Sequence, residues 1–178
     1  VGPVSSYARV IRQAYRSVPE AAFMIFTGDL VDGGYAARTL DDEWGDWHRS
    51  AGFIASEVPV VATPGNHEFY NPHDRQKRDF NIYWRPGFTL PENGPAGLEE
   101  TAYSFDYQGV RFIIVSSDQM LRDEAIARSQ TEWVESLLKN NPCKWTVMAF
   151  HHPFFSTSAR RDNKAVRENL RPLVDRYG

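Results

Sequence analysis

Three clusters of polar residues carry side chains that could bind metal ions or transfer protons. They are Gly28-Asp29, Gly65-Asn66-His67-Glu68 and His151-His152-Pro153. A carboxylate can bridge two cations, and an amide oxygen or a neutral imidazole can ligate one. An imidazole can also transfer a proton near neutral pH. Together these clusters could form a metal centre with an acid–base group beside it.

Each cluster alone also has an ordinary structural explanation. Asp29 could cap a turn or a helix. Pro64-Gly65-Asn66 could be a simple turn with His67 exposed beside it. One histidine of His151-His152 could be buried and the other solvated. What favours the chemical interpretation is that all three clusters directly follow a predicted strand.

Strand-like and helix-like segments alternate along the chain. Apolar runs predict strands at residues 22–26, 58–62 and 145–150, and we expect the first to be buried on both faces. Apolar residues at helical spacing predict helices at 4–15, 40–54 and 165–177. Segments 101–107 and 110–116 flank Gln108-Gly109 and predict a hairpin, and Ser129 with Glu132 predicts the start of another helix.

This alternation predicts an α/β layered sandwich with a mixed sheet. In α/β sheets, ligands bind beyond the carboxyl ends of the strands, which is where the three clusters lie. We therefore expect the clusters to converge at one rim of the sheet. The long irregular stretch at residues 69–100 is predicted to be a functional loop.

The three clusters, in this order, resemble the second, third and fourth motifs of the calcineurin-like metallophosphoesterase superfamily. Leu90-Pro91-Glu92-Asn93-Gly94-Pro95, the segment 103–107 and the helix containing Trp133 resemble its purple-acid-phosphatase-like branch. The resemblance covers nearly the whole chain. It implies a layered α/β/β/α sandwich and hydrolysis of phosphate esters.

The resemblance also implies a metal site. Asp29 would bridge two divalent or trivalent ions (Fe, Mn or Zn), and Asn66 and His151 would bind the second ion. A metal-activated hydroxide would then attack phosphorus. The implied substrate is a small phosphomonoester. The alternatives are a phosphodiesterase or nucleotidase of the same superfamily, and a non-catalytic binding relative with a degenerate metal site.

The resemblance assigns His67 to the substrate rather than to a metal. His67 would stabilise the phosphoryl oxygens and protonate the leaving alkoxide, as a general acid does. We expect Glu68 to orient His67 through a carboxylate–imidazole hydrogen bond. His152 is expected to support the site structurally. Arg160 could contact substrate phosphate, or could belong to a solvated cluster of basic residues.

Asp32 departs from the purple acid phosphatase pattern. In those enzymes the matching position is a tyrosine that binds iron and gives the colour. We therefore expect Asp32 to make a structural hydrogen bond in its loop. We also expect no tyrosinate–iron absorption band in the visible range.

The superfamily's first motif (Asp-x-His) and last motif (Gly-His-x-His) are not found at their expected positions. We expect residues 1–178 to be part of a catalytic domain whose first and last metal-binding motifs lie outside this chain. The chain alone should then bind metal weakly or partly and have little activity. Open sheet edges should favour association or disorder.

Composition and charge exclude several other classes of protein. The net charge is −3 and the basic residues are scattered, which is not the basic stripe of a nucleic-acid-binding protein. No apolar run approaches the length of a membrane span. Because many members of the resembled family are exported, an extracytoplasmic location is favoured over others. The sequence does not predict an oligomeric state.

Overall fold

The computed structural model describes residues 4–33, 39–69, 80–158 and 161–178. The chain forms two compact units. The first contains Val1–Ala62 and Asn66–Phe88, and the second contains Thr63–Gly65 and Thr89–Gly178. The fold is mixed α/β with two sheets, which confirms the predicted fold class.

The first unit contains a two-stranded parallel sheet, in which Ile25 pairs with Val61. Its elements are α1 (Val4–Ser17), β1 (Met24–Phe26), α2 (Leu40–Ala55), β2 (Val60–Ala62), a 3₁₀ turn (His67–Phe69) and α3 (Trp84–Gly87). The helices predicted at 4–15 and 40–54 are confirmed. The first strand is shorter than expected and only half-buried, so the prediction that both its faces are buried is wrong.

An aromatic cluster forms the core of the first unit. Trp44 and Trp84 are fully buried and meet edge-to-face, with ring centroids 6.5 Å apart. Phe88 packs against Trp84 and Trp47. Edge-to-face contacts of this kind add to the free energy gained by burying the rings. The cluster fixes α2, whose first turn is closed by a capping box between Thr39 and Asp42.

The second unit contains a three-stranded mixed sheet in the order β3-β4-β5. Its elements are β3 (Tyr103–Tyr107), β4 (Val110–Ile114), α4 (Ser117–Arg122), α5 (Glu124–Lys139), β5 (Trp145–Ala149) and α6 (Lys164–Tyr177). The predicted hairpin is confirmed: Gln108 and Gly109 both have positive φ (47° and 77°), as a two-residue turn of this kind requires. β5 pairs parallel with β4.

The start of α5 differs from the prediction. The helix begins at Glu124, because the Asp123 carboxylate accepts hydrogen bonds from the backbone N–H groups of Ala125 and Ile126. Ser129 therefore lies inside the helix, and the capping box predicted for it with Glu132 is wrong. The carboxylate satisfies N–H groups that have no partner within the helix, and its charge is favoured at that end.

The Leu90–Pro95 motif lies along the edge of β3. The Asn93 amide donates to the Ser104 carbonyl and accepts from the Ser104 N–H, as a neighbouring strand would. A Cβ on Gly94 would lie 1.9 Å from the Ala102 carbonyl oxygen, so this close approach requires glycine. In the described parts of the chain, no helix is long and apolar enough to cross a lipid bilayer.

Candidate active site

The first cluster forms a sharp turn after β1. Gly28 and Asp29 both adopt left-handed backbone conformations (φ 89° and 54°), after which Leu30 and Val31 enter the core. Aspartate is one of the few residues other than glycine that tolerate this conformation. The turn leaves a third of the Asp29 side chain exposed. A carboxylate in this position remains accessible to a ligand.

Glu68 holds this turn in place. Its carboxylate is fully buried and accepts the backbone N–H groups of Asp29 (2.9 Å) and Leu30 (2.7 Å). Hydrogen bonds to a charged, buried acceptor are among the stronger ones in proteins. We expected Glu68 to orient the His67 ring. That role stays a prediction, and these two hydrogen bonds fix the backbone that presents Asp29.

His67 lies between two aspartates of the same turn. Its backbone N–H donates to Asp29 Oδ1 at 3.2 Å, and its Nδ1 lies 2.7 Å from the Asp32 backbone carbonyl. A carbonyl can only accept, so Nδ1 carries a proton. Nε2 lies 3.8 Å from Asp29 Oδ2, and the Asp32 carboxylate is also 3.8 Å from the ring. The ring is therefore held in one orientation beside two carboxylates.

Asp32 contacts His67, and the hydrogen bond expected for Asp32 within its own loop stays a prediction. The contact uses the backbone carbonyl of Asp32, so the residue type alone did not predict it. Asn66, directly before His67, is half-buried in the same unit. Contacts with Asp29 and Asp32 thus place His67, with its neighbours Asn66 and Glu68, beside the turn after β1.

The third cluster lies in the second unit, where β5 ends. His151 and His152 are half-buried, with ring centroids 4.9 Å apart and planes nearly perpendicular. The His152 backbone N–H donates to Ser117 Oγ at 3.0 Å, and its Nδ1 lies 3.0 Å from the same oxygen. Ser117 is fully buried at the start of α4. Ser117 was not predicted as a site residue, although it too follows the end of a strand.

The predicted convergence of Asp29, Asn66 and His151 stays a prediction, because His151 belongs to the other unit. Among residues 4–33, 39–69, 80–158 and 161–178, no three His, Cys, Asp or Glu side chains are close enough together to hold a metal ion. Arg160 lies outside the described residues. The roles of Arg160 and His152 also stay predictions.

A cleft of about 390 Å³ opens beside these residues within the first unit. Asp29, Asp32 and His67 line one part of it, and Ser6, Tyr7 and Val10 of α1 line another. Burial raises the pKa of Tyr7 and the charge of Glu68 raises it further, while contact with Trp47 acts in the opposite direction. From the sequence, Tyr7 and Val10 were predicted only as apolar positions of a helix.

The donors in the first unit suit a hard or borderline cation. Asp29 offers a carboxylate that lines an open cleft, and Asn66 offers an amide oxygen. The left-handed turn at Asp29 is an uncommon conformation, and Glu68 stabilises it. Such a turn is expected where the backbone must direct one side chain at a ligand. The donor types therefore suit a metal ion, although the described residues form no group of three such side chains that could hold one.

Comparison with known proteins identifies the family. The family model for calcineurin-like phosphoesterases matches residues 2–178. The chain belongs to the calcineurin-like phosphoesterase family. This confirms the resemblance inferred from the three strand-end clusters, and it covers the whole span over which that resemblance was expected.

Individual relatives within this phosphoesterase family are distant. Purple acid phosphatase 15 from Arabidopsis thaliana is 26% identical over 79% of this chain and 26% of its own length. Serine/threonine-protein phosphatase CPPED1 from Bos taurus is 24% identical over 91% of this chain and 53% of its own length. Tartrate-resistant acid phosphatase type 5 from Rattus norvegicus is 32% identical over 60 residues, 34% of this chain. The chain spans about a quarter to a half of the length of the first two relatives.

Proposed function

We propose that this phosphoesterase-family chain carries catalytic residues of a metal-dependent phosphomonoesterase in which His67 protonates the leaving group. The observation that carries the proposal is the fixed position of the His67 ring between Asp32 and Asp29. Family membership and relatives named as phosphatases support it. We further propose that residues 1–178 are part of the catalytic domain rather than all of it.

The contacts of His67 suit proton donation. Because Nδ1–H donates to the Asp32 carbonyl, the ring cannot turn without losing that hydrogen bond. Nε2 is then the nitrogen that faces Asp29. When Nε2 is also protonated, it can donate that proton to the oxygen of the leaving group. When the ring carries both protons, its charge faces two carboxylates at 3.8 Å. This fixed position of the ring supports the proposal that His67 donates the proton.

Asp29, Asn66 and His151 are the residues we propose to hold the metal. When bound, two cations of Fe, Mn or Zn would lower the pKa of a water molecule and neutralise phosphate oxygens. Other residues of this chain position these ligands. Glu68 fixes the Asp29 backbone, and Ser117 fixes the turn that contains His152 and follows His151.

The dependence of rate on the leaving group tests the role of His67. We expect His67→Ala, in the full-length protein with Mn²⁺ or Zn²⁺, to lower kcat/KM for phenyl phosphate by about 10²–10⁴-fold. Phenolate is a poor leaving group and needs the proton. The loss should be far smaller for 2,4-dinitrophenyl phosphate, whose leaving group departs without one.

The matched control is His48→Ala, since His48 is an exposed histidine on α2 of the same unit. It should change neither rate by more than about twofold. Equal losses on both substrates in His67→Ala would remove His67 from the proton-donor role. Rates on p-nitrophenyl phosphate and its bis-ester separate a monoesterase from a diesterase. Metal binding without hydrolysis of either would identify a non-catalytic relative.

A further inference from the structure

The cleft beside His67 has a charged part and an apolar part. The charged part is formed by Asp29, Asp32 and His67. The other part is formed by α1 and by the residues after the Asp29 turn. Its volume, about 390 Å³, is at the lower end of the range of about 300–1,000 Å³ typical of small-molecule sites.

The apolar part has three contributors from α1 and two from the turn. Tyr7 and Val10 present apolar surface, Ser6 adds a hydroxyl, and Leu30 and Val31 also line this part. Leu30 and Val31 are buried, whereas Val10 is 67% exposed at the mouth. An exposed valine beside a cleft provides apolar surface that a ligand can cover.

The charge of the lining restricts what it can accept. Among the described residues that line the cleft there is no Lys or Arg, and Asp29 and Asp32 are acidic. Burial and the charge of Glu68 raise the pKa of Tyr7, so its hydroxyl is neutral at physiological pH. The described lining offers no basic partner to a second anionic group on the substrate, whereas it would accommodate a neutral apolar group.

The proposed proton transfer decides which part of the substrate lies here. If His67 protonates the leaving oxygen, the leaving group must lie beside His67, and the phosphoryl group must lie towards Asp29. The cleft that contains His67 continues into the apolar part. We propose that this part is a leaving-group subsite for a neutral aryl or similarly flat apolar alcohol, with Tyr7 and Val10 as specificity-determining residues. This inference rests on the proposed function.

Two non-hydrolysable probes that share a phosphonate head group test the subsite. Calorimetric titration of the full-length protein with Zn²⁺ should give phenylphosphonate at least about tenfold higher affinity than methylphosphonate. Val10→Asn should lower the affinity for phenylphosphonate about fivefold and leave methylphosphonate unchanged. Val18→Asn is the matched control, because Val18 is 49% exposed just beyond α1 and does not line the cleft.

Tyr7 is tested by a pair of substitutions. Tyr7→Phe keeps the ring and should keep the preference for phenylphosphonate within about twofold, whereas Tyr7→Ala should reduce it towards equality. Equal affinity of the two probes for the unmodified protein would overturn the subsite and leave the proposed function standing. Equal effects of Val10→Asn and Val18→Asn on the affinity for phenylphosphonate would also overturn the subsite and leave the proposed function standing. Failure of both probes to bind would overturn the subsite together with the proposed function.

Discussion

At the residue scale, the candidate site depends on one left-handed aspartate and the carboxylate that holds it. Asp29 has φ 54°, and the N–H groups of residues 29 and 30 both donate to Glu68. Removing one of the two Glu68 oxygens would leave a buried backbone N–H without a good acceptor. This costs more free energy than losing a hydrogen bond at the surface. Glu68 therefore matters for stability as well as for the position of Asp29.

We expect Glu68→Gln to lower the free energy of unfolding by about 1–3 kcal/mol, because the new amide places an NH₂ group against a backbone N–H. Urea denaturation followed by fluorescence measures this. Glu57→Gln is the control, since Glu57 is exposed just after α2. A loss no larger than that of the control would show that Glu68 does not hold the Asp29 turn.

Residue types at strand ends predicted that Asp29, Asn66, His67 and His151 converge; the structure places His67 beside Asp29, and the full convergence stays a prediction. They did not predict the partner of His67, because that partner is the backbone carbonyl of Asp32. Every residue carries such a carbonyl, so no side-chain pattern marks it. The contribution of Tyr7 was also missed, since an apolar position in a helix does not show whether it faces the core or a cleft.

At the element scale, Arg111 connects three elements of the second unit. Its guanidinium makes two 2.8 Å hydrogen bonds to the Asp106 carboxylate across the β3–β4 pair. It also donates to the Leu137 carbonyl (2.9 Å) and the Asn140 carbonyl (3.4 Å) at the end of α5. A cation is favoured at the carbonyl end of a helix. Arg111 thus ties the hairpin to α5.

We expect Arg111→Met to lower the free energy of unfolding by about 1–2 kcal/mol near neutral pH, a modest value because the Asp106 side chain is partly exposed. Arg111 holds the pKa of Asp106 below its ordinary value. The contribution is therefore present above the unfolded pKa, about 3.9, and is lost as the pH falls through the lower folded value.

Urea denaturation between pH 7 and pH 2 measures the difference in free energy of unfolding between wild type and Arg111→Met. We expect the difference to shrink below about pH 4, where the Asp106 carboxylate becomes protonated. Arg128→Met is the control, because Arg128 is exposed on α5. If this difference in free energy of unfolding does not change with pH, the Arg111–Asp106 ion pair contributes nothing to stability.

Periodicity predicted the elements better than their ends. The apolar spacing located α1, α2 and α6, and Gln108-Gly109 located the hairpin turn. The start of α5 was placed too late because Ser129 with Glu132 has the pattern of a capping box, while Asp123 caps the helix one and a half turns earlier. Several sequences can cap a helix, and the site used depends on where the preceding element ends.

At the scale of the whole molecule, β5 is the strand most open to association. It lies at one end of the β3-β4-β5 sheet, and its Trp145 and Val147 side chains are 64% and 41% exposed. An exposed apolar strand at a sheet edge can pair with another chain. The sequence predicted open edges from the motifs missing at their expected positions, and that stays a prediction.

We expect the 178-residue chain to self-associate at high concentration, and Val147→Lys to reduce this. Val174→Lys on α6 is the control, because Val174 is 43% exposed and lies outside the sheet. Sedimentation velocity over a concentration series measures the effect. Equal sedimentation of both variants and the wild type would show that β5 is not the associating edge.

The proposed metal site is tested most directly by anomalous X-ray scattering from crystals of the full-length protein grown with Mn²⁺, measured on both sides of the manganese absorption edge. We predict an anomalous peak within bonding distance of the Asp29 carboxylate, the Asn66 amide oxygen and a His151 ring nitrogen. His67 should lie beside the peak without ligating it. A peak away from Asp29, or Asp29 and His151 on separate surfaces, would contradict the proposed site.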